Sequence, residues 1–527
     1  MKLNKMKKIY LFSIALAGLA MTSCDSFLDK LPDDRTELTS VEKVKNMLTS
    51  AYPAKSPNYM LVYSSDDVTD NGPTFTCQQD QDQLYHWEQV ESNGNNSPKG
   101  IWQANYLACA TANECLAALA KLPENATTRA LRAEALLCRA YSMFVNANVF
   151  CMAYDPQKAD TYLGIPYPKS AGVSVDERGT LAETYANIDA DIEAALPYVS
   201  ESYMAKPKYH FNVKAAYAFA ARFNLYYHKY DKAIEYASKV LGNDPKNMLR
   251  NVADAMELGA EDYSNNYIQS SEPANLMLLT AYSLVGRSFL DSNFLRYAMN
   301  REITLRETFW ANMPWTADAG SANNCLYEAH KLYGSNDGCV YAKMYEMFEV
   351  TDPVSQTGFA HIVDAVFTAD ETLLVRAEAE ALSGKSQASV DDINLWINNH
   401  CSIKYDSYAR KENYTLADIN NYCDTVPEVP VIITNAAQRG VKKAIHPQGF
   451  VVSDGDMKSL IYFILQLRRI ETFQQGLRFQ DIKRYGIEFT HNFKDADPIL
   501  FTAGDLRGAI QLPIDVIDAG LEPNPRK

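Results

Sequence analysis

Paired amphipathic helices are the feature that most constrains the fold of this 527-residue chain. Between residues 211 and 245, apolar side chains recur at helical spacing on both sides of a short break, which predicts two packed helices. The small side chain of Ala233 lets the helices approach closely, and Pro245 ends the unit. Together with Tyr230 and Val240, these residues have the spacing of the second half of a tetratricopeptide repeat. The segment predicts a helical-repeat scaffold; the alternative is a set of unrelated antiparallel helices.

Further segments have the same pattern. Residues 371–397 form a weaker copy, and RAEA occurs both there and within residues 129–145. Thr180 and Glu183, three positions later, have the pattern of a capping box at the start of a helix. Pro197 ends this helix. We predict a mainly α fold of tetratricopeptide-like helix pairs with long loop-rich insertions and a few short strands. The scaffold is expected to include residues 101–155, 178–245, 369–398 and 457–486.

Two long stretches between the helices have a different composition. Residues 53–98 and 260–365 are rich in polar and aromatic residues and contain only short apolar runs. Loops of this length inside a folded chain are usually functional. We predict that these two stretches form a loop-rich ligand-binding portion.

Aromatic residues in these stretches are the best candidates for ligand contacts. An exposed indole or phenol ring can cover the C–H face of a sugar ring, while neighbouring polar groups bind its hydroxyls. The alternative for each ring is a packing role, which is the commoner one for tryptophan. The predicted ligand-binding residues are Asp67, Asn71, Tyr85, Trp87, Tyr267, Arg301, Trp310 and Trp315.

The first two dozen residues have the pattern of a targeting segment. Four lysines precede the apolar run Ile9–Ala20, which is too short to span a bilayer. Small residues then stand directly before Cys24, as in a bacterial lipoprotein box. We predict a signal peptide at residues 1–23 and a mature chain at 24–527 with a lipid on Cys24. Plain secretion with a free Cys24 is the alternative.

Charge and motifs argue against several function classes. With 50 basic and 65 acidic residues the net charge is −15, which repels phosphate backbones and argues against nucleic-acid binding. The sequence has no G-x-S-x-G, no HExxH and no CxxC motif, and Gly384-Lys385-Ser386 lacks the first glycine of a phosphate loop. We predict no catalytic residues, no metal and no cofactor; a surface glycosidase or protease is the enzymatic alternative.

Two other patterns predict structural roles. Residues 468–486 combine charged and aromatic side chains, which we interpret as an internal ion-pair network, with anion binding as the alternative. Its charged members are Arg468, Arg469, Glu471, Arg478, Asp481 and Arg484. Four cysteines in apolar helical patterns are predicted to be small buried side chains, namely Cys109, Cys115, Cys138 and Cys151. One disulfide is suggested between Cys325 and Cys339.

Several sequence blocks are distributed along the whole chain, and together they are specific for one protein family. They begin with Cys24-Asp25-Ser26-Phe27-Leu28-Asp29 and continue with IWQANYLACATAN, ALRAEALLCRAYSMF and RGTLAETYANIDADIEAALPYV. The later blocks are ETLLVRAEAEAL, RRIETFQQGLRFQDIKRYG and GAIQLPIDVID. With these blocks the chain resembles the SusD/RagB family of Bacteroidetes outer-membrane lipoproteins. In the last block, Leu512 before Pro513 departs from the pattern of that family.

The resemblance implies a non-catalytic protein that is lipid-anchored to the outer membrane and faces the extracellular side. It implies a SusC-like TonB-dependent β-barrel transporter as the partner, to which captured oligosaccharide is passed. Capture of peptides, as in the RagB branch, is the alternative, and an assembly protein that contacts only the barrel is a further one. The resemblance assigns no individual ligand residue, so the predicted site depends on the loop aromatics.

Overall fold

Eighteen helices and eleven short strands follow one another in the part of the chain that the computed structural model describes. This part comprises residues 38–526 without 173–176, 291–293, 319, 322, 328–330 and 334–337. The predicted signal peptide 1–23 and the predicted lipid site Cys24 lie outside the described residues. From Val41 onward the chain forms one unit.

The first nine helices are α1 Val41–Leu48, α2 Asn58–Tyr63, α3 Gln79–Tyr85, α4 Pro98–Leu119, α5 Ala126–Phe150, α6 Leu181–Ala195, α7 Val213–Tyr226, α8 Tyr230–Leu241 and α9 Val252–Ala255. The others are α10 Ala260–Tyr267, α11 Val285–Leu290, α12 Arg301–Arg306, α13 Ala369–Leu382, α14 Ser386–His400, α15 Leu416–Thr425, α16 Asp456–Glu471, α17 Leu477–Tyr485 and α18 Ile514–Asp518.

The strands are β1 Thr69–Asp70, β2 Asn275–Tyr282, β3 Tyr297–Ala298, β4 Lys331–Tyr333, β5 Gly338–Val340, β6 Met347–Asp352, β7 Thr357–Thr368, β8 Lys404–Tyr405, β9 Tyr408–Ala409, β10 Phe489–His491 and β11 Ile499–Phe501. All the strand pairs are antiparallel. The largest sheet has the order β2-β7-β6, and β2 and β7 also contact α7.

Consecutive helices pack as pairs along the scaffold. α4 contacts α5, α7 contacts α8, and α13 contacts both α8 and α14. The interface of α7 and α8 contains small side chains such as the fully buried Ala233 and Ala237, which allow the helix axes to approach. The predicted mainly α fold of tetratricopeptide-like helix pairs is confirmed.

The local signals for α6 also hold in the structure. The backbone N of Glu183 donates to Thr180 Oγ1 at 3.1 Å, and the backbone N of Thr180 donates to Glu183 Oε2 at 2.9 Å. This reciprocal pair is the predicted capping box, and it satisfies two backbone donors at the helix start. The helix ends at Ala195, and a 3₁₀ turn containing Pro197 follows.

The cysteine predictions have mixed outcomes. Cys109, Cys115, Cys138 and Cys151 are buried thiols, as predicted. Cys325 is also a free buried thiol, so the suggested Cys325–Cys339 disulfide is wrong. The reason is that Cys325 lies beside Trp315, to whose carbonyl oxygen its backbone N donates at 2.9 Å, whereas the backbone N of Cys339 donates to Met299.

No helix among the described residues is sufficiently long and apolar to traverse a bilayer.

Candidate functional site

Strands β1 and β3 join the two predicted loop regions. Thr69 pairs with Ala298 and Asp70 pairs with Tyr297. Immediately after β1, the backbone N of Asn71 donates to the carbonyl oxygen of Arg296 at 2.7 Å. The two stretches 53–98 and 260–365 therefore lie side by side at this junction, through residues that are more than 200 positions apart in the chain.

The short helix α12 lies beside this junction and positions three predicted residues. Asn300 caps α12, and its Nδ2 donates to Oδ1 of Asn71 at 2.9 Å. Arg301 is the first residue of α12 and is exposed. Trp310 follows the helix, where its backbone N donates to Thr304 O at 2.9 Å, and it is half-buried. We call Asn71, Arg301 and Trp310 the α12 surface.

Phe294 is an exposed aromatic beside β3 that the sequence reasoning did not select. Its side chain is 62% exposed, and its carbonyl oxygen accepts a hydrogen bond from the backbone N of Thr76 at 2.9 Å. The signal that could have found it is its position within the same aromatic stretch that contains Trp310. It adds an apolar face next to the α12 surface.

Tyr85 and Trp87 belong to a buried aromatic stack. Tyr85 lies between Tyr297, at a ring-centroid distance of 4.1 Å, and His491, at 3.8 Å. Trp87 stacks on the other face of His491 at 4.1 Å, and its Nε1 donates to Ser64 O at 2.9 Å. Trp87 has a φ of 53°, a conformation that is uncommon for a bulky residue. The stack ties the end of α3 to β3 and β10.

Asp67 is part of a buried cluster of charges beneath the same junction. Its Oδ1 lies 2.8 Å from Arg469 Nε, while Asp66 Oδ2 lies 2.7 Å from Arg478 NH2. Glu307, directly after α12, lies 3.0 Å from Lys443 Nζ. We call this cluster the junction network; its members are Asp66, Asp67, Glu307, Arg439, Lys443, Arg469 and Arg478.

The junction network holds Glu307 and Asp66 in the ionised form, whereas burial raises the pKa of Asp67. Burial alone would raise the pKa of Glu307, but Lys443, Arg439 and Arg469 lower it to about 2. Burial likewise opposes ionisation of Asp66, and its cationic neighbours, Arg469 first, bring its pKa well below the usual value. The cations are satisfied by carboxylates of the chain itself, so the arrangement stabilises structure and leaves no evident anion site.

A second group of charges extends the network between α16, α17 and α13. Arg468 Nε lies 2.9 Å from Asp481 Oδ2, and Arg484 NH2 lies 2.6 Å from Glu378 Oε1. All four side chains are buried. The predicted internal ion-pair network in residues 468–486 is confirmed.

Tyr267 and Trp315 are buried and do not belong to the α12 surface. Tyr267 is 3% exposed and has the guanidinium carbon of Arg250 3.6 Å from its ring centroid. Trp315 is completely buried, with ring-centroid distances of 6.1 Å to both Trp396 and Phe463. Neither ring offers an open face in this conformation.

Asp370, His400 and Glu471 form a buried group with the geometry that a metal ion could use. His400 Nε2 lies 3.1 Å from Glu471 Oε2 and 3.7 Å from Asp370 Oδ1. Burial alone would lower the pKa of His400, but Glu471 and Asp370 raise it. Trp396 Nε1 and the backbone N of Arg250 also donate to the two carboxylates. The hydrogen bonds already present suit a protonated histidine between two carboxylates better than a metal ion.

The comparison with known families gives a match for the first part of the chain, which contains β1. Residues 26–225 match the SusD-like family model described as "Starch-binding associating with outer membrane". Solved structures of SusD superfamily proteins match nearly the whole chain. Residues 26–225 therefore resemble the SusD-like family, and the solved structures show that nearly the whole chain has the same fold. The predicted resemblance to SusD proteins is confirmed.

The structural likeness extends over most of the chain at low sequence identity. A SusD superfamily protein from Bacteroides thetaiotaomicron is 17% identical with a TM-score of 0.60, and 92% of this chain and 100% of that chain are covered. A SusD superfamily protein from Bacteroides vulgatus is 17% identical with a TM-score of 0.59 and coverages of 93% and 98%. A SusD-like carbohydrate binding protein from Bacteroides vulgatus is 14% identical with a TM-score of 0.54 and coverages of 88% and 89%. No curated protein matches the chain in sequence.

Proposed function

We propose that this protein is a non-catalytic nutrient-binding lipoprotein of the outer membrane, which captures oligosaccharide. The observation that carries the proposal is the match of residues 26–225 to a family described as starch-binding and associated with the outer membrane. A structural neighbour is described as a carbohydrate binding protein, which agrees with this assignment.

We propose that the α12 surface is where the ligand binds. Trp310 is half-buried and carries an indole of the type that stacks on sugar rings, and the exposed Phe294 adds a further ring. Arg301 is exposed and carries hydrogen-bond donors, while Asn71 is half-buried and carries both donors and acceptors. A platform of aromatic faces with polar groups at its edge suits a sugar chain.

In the same proposal, the other five predicted ligand residues do not contact the ligand, and three of them support this surface from below. Tyr85 and Trp87 fix β3 through the aromatic stack, and Asp67 fixes the start of β1 through Arg469. Tyr267 and Trp315 pack within the body. Their contribution to affinity would come from positioning the two loop regions rather than from direct contact.

Binding measurements on the purified protein test the assignment. Calorimetric titration with starch-derived oligosaccharides and with other glycans should reveal saturable binding to at least one glycan class. A peptide pool in a parallel titration should show none. Retention of peptides without any glycan would favour the RagB-like alternative, and release of reducing ends from a polysaccharide would establish an enzyme instead.

We also propose that the chain is anchored by a lipid on Cys24 and hands its ligand to a SusC-like TonB-dependent β-barrel. The support is the lipoprotein-box pattern before Cys24 together with the family's outer-membrane association. In the native host, a Cys24→Ala variant should no longer incorporate labelled palmitate and should leave the membrane fraction. A barrel protein that co-purifies with wild type through detergent extraction would support the partner, and a cytosolic, unlipidated wild-type chain would contradict the anchor.

A further inference from the structure

A separate cavity lies inside the body between the helix pairs and the β2-β7-β6 sheet. It has a volume of about 90 Å³, which is enough to hold several water-sized groups. Its walls come from α5, the end of β7 and the first turns of α2, α13 and α17. Such a space fits a small molecule or the end of one side chain, and it is too small for an oligosaccharide.

Two buried carboxylates line this cavity with unused acceptor atoms. Asp364 is 6% exposed and Glu371 is 3% exposed. Asp364 Oδ1 and Glu371 Oε2 accept no hydrogen bond from any residue that the structure describes. A buried acceptor without a donor costs about 1–3 kcal/mol, so its presence points to a missing donor.

The two carboxylates differ in how their charge is balanced. Glu371 Oε1 lies 3.1 Å from Arg222 Nε, so this carboxylate has a cation of the chain beside it. Asp364 Oδ2 instead accepts from the neutral amide Nδ2 of Asn58 at 2.7 Å. Burial raises the pKa of Asp364, and the more distant cations Arg222 and Lys343 offset this only in part.

Aromatic and apolar side chains complete the walls. Tyr141 and Phe144 on α5 and Leu61 on α2 line the cavity together with the carboxylates. Aromatic faces beside a carboxylate form the environment that binds organic cations, through attraction to the ring faces and through ion pairing. An ammonium group supplies hydrogen-bond donors for the unused carboxylate oxygens, and it places a positive charge beside Asp364, whose direct side-chain partner is the neutral Asn58.

The cavity adjoins a second, larger groove. This groove has a volume of about 640 Å³ and shares the lining residues Pro53, Lys55 and Leu279 with the cavity. Val145 and Asn148, which also line the cavity, are half-buried.

We propose that this cavity binds a primary ammonium group of a small organic molecule, with Asp364 as the main counter-charge and Tyr141 and Phe144 around the attached carbon atoms. The site goes beyond oligosaccharide capture and is independent of the α12 surface. The ammonium group could belong to an amino sugar or to a lysine side chain.

Titration of the purified protein with n-butylammonium chloride tests the proposal, with 1-butanol and butyrate as matched uncharged and anionic probes. We expect saturable binding of n-butylammonium and at least tenfold weaker binding of the other two. Competition by glucosamine would identify an amino sugar as the source, and competition by Nα-acetyl-lysine amide would identify a lysine side chain. Absence of n-butylammonium binding, equal binding of 1-butanol, or competition by glucose would overturn the proposal.

Variants locate the binding. Asp364→Asn should weaken n-butylammonium binding at least tenfold and leave glycan affinity at the α12 surface unchanged. Asp352→Asn, at the exposed end of β6, is the matched control. It should change neither n-butylammonium binding nor glycan affinity. If Asp364→Asn does not fold, Val145→Trp, which fills the cavity edge from the half-buried side of α5, should cause the same loss. Unchanged binding in both cavity variants would overturn the assignment.

Discussion

The helix pair α7–α8 and the junction at β1–β3 are stabilised by different kinds of contact. In α7–α8, small apolar side chains such as Ala233 and Ala237 pack between helices that follow each other directly in the chain. At the junction, Asp66 and Asp67 pair with Arg478 and Arg469, which lie 412 and 402 positions further on. The scaffold is thus held by local apolar packing, whereas the loops that carry the proposed ligand surface are held by buried charges from the far end of the chain.

This difference has a consequence for ligand binding. Loops are usually mobile, and an aromatic platform on a mobile loop loses entropy when a ligand orders it. The junction network and the aromatic stack fix β1 and β3 before any ligand arrives. The proposed α12 surface is therefore preorganised by buried residues that lie beneath it.

The largest expected effect comes from removing one cation of the junction network. Arg469→Met leaves Asp67 and Glu307 buried with fewer cationic partners, which should lower the free energy of unfolding by about 3–5 kcal/mol. Urea denaturation measures the change. Lys385→Met removes the exposed pair with Asp231 and should cost only about 0–1 kcal/mol. Equal costs for the two variants would show that the junction network is not what holds this region.

A smaller effect is expected from overpacking the scaffold. Ala233→Leu places three extra carbon atoms into the fully buried interface of α7 and α8, which should cost about 1–3 kcal/mol. Glu235→Leu, on the exposed side of α8, should stay within about 0.5 kcal/mol of wild type. Thermal unfolding provides the comparison. At temperatures below the unfolding transition, Ala233→Leu should leave glycan affinity unchanged. A loss of affinity that accompanies the loss of stability would mean that the scaffold and the junction are coupled.

Glu380 provides a pH test, because it is a poorly compensated charge in the scaffold. Burial, with a further contribution from Asp392, raises its pKa to about 7, and its Oε2 has no hydrogen-bond partner among the described residues. The folded state therefore binds a proton more tightly than the unfolded state. The contribution of Glu380 to the free energy of unfolding therefore increases as the pH falls from about 7 to about 4.5. The same contribution is lost as the pH rises through 7.

Glu380→Gln removes this dependence. The variant should be more stable than wild type by about 2 kcal/mol at pH 8, and the difference should vanish below about pH 4.5. Urea denaturation at several pH values measures it, with Glu235→Gln on the exposed side of α8 as the control. A difference that is the same at every pH would contradict the raised pKa.

The two regions also differ in how far their residues could be predicted from the sequence. The α7–α8 pair and the Thr180–Glu183 capping box depend on neighbours within a few positions, so the local pattern predicts them. Tyr85, Trp87 and Asp67 were selected by residue type, but their contacts His491 and Arg469 lie some 400 positions away. A local pattern contains no information on such pairings, so the burial of these residues could not be predicted. Asn300, which joins α12 to Asn71, was missed for the same reason.

Calorimetry of Trp310→Ala is the most direct test of the central claim, that a preorganised α12 surface binds the ligand. With the glycan that the wild-type protein binds, we expect an affinity loss of about tenfold, equivalent to about 1.4 kcal/mol, and an unchanged free energy of unfolding. Tyr198→Ala, which removes another exposed aromatic outside the α12 surface, should leave the affinity as it is. Undiminished affinity in Trp310→Ala, with the protein folded, would contradict the account.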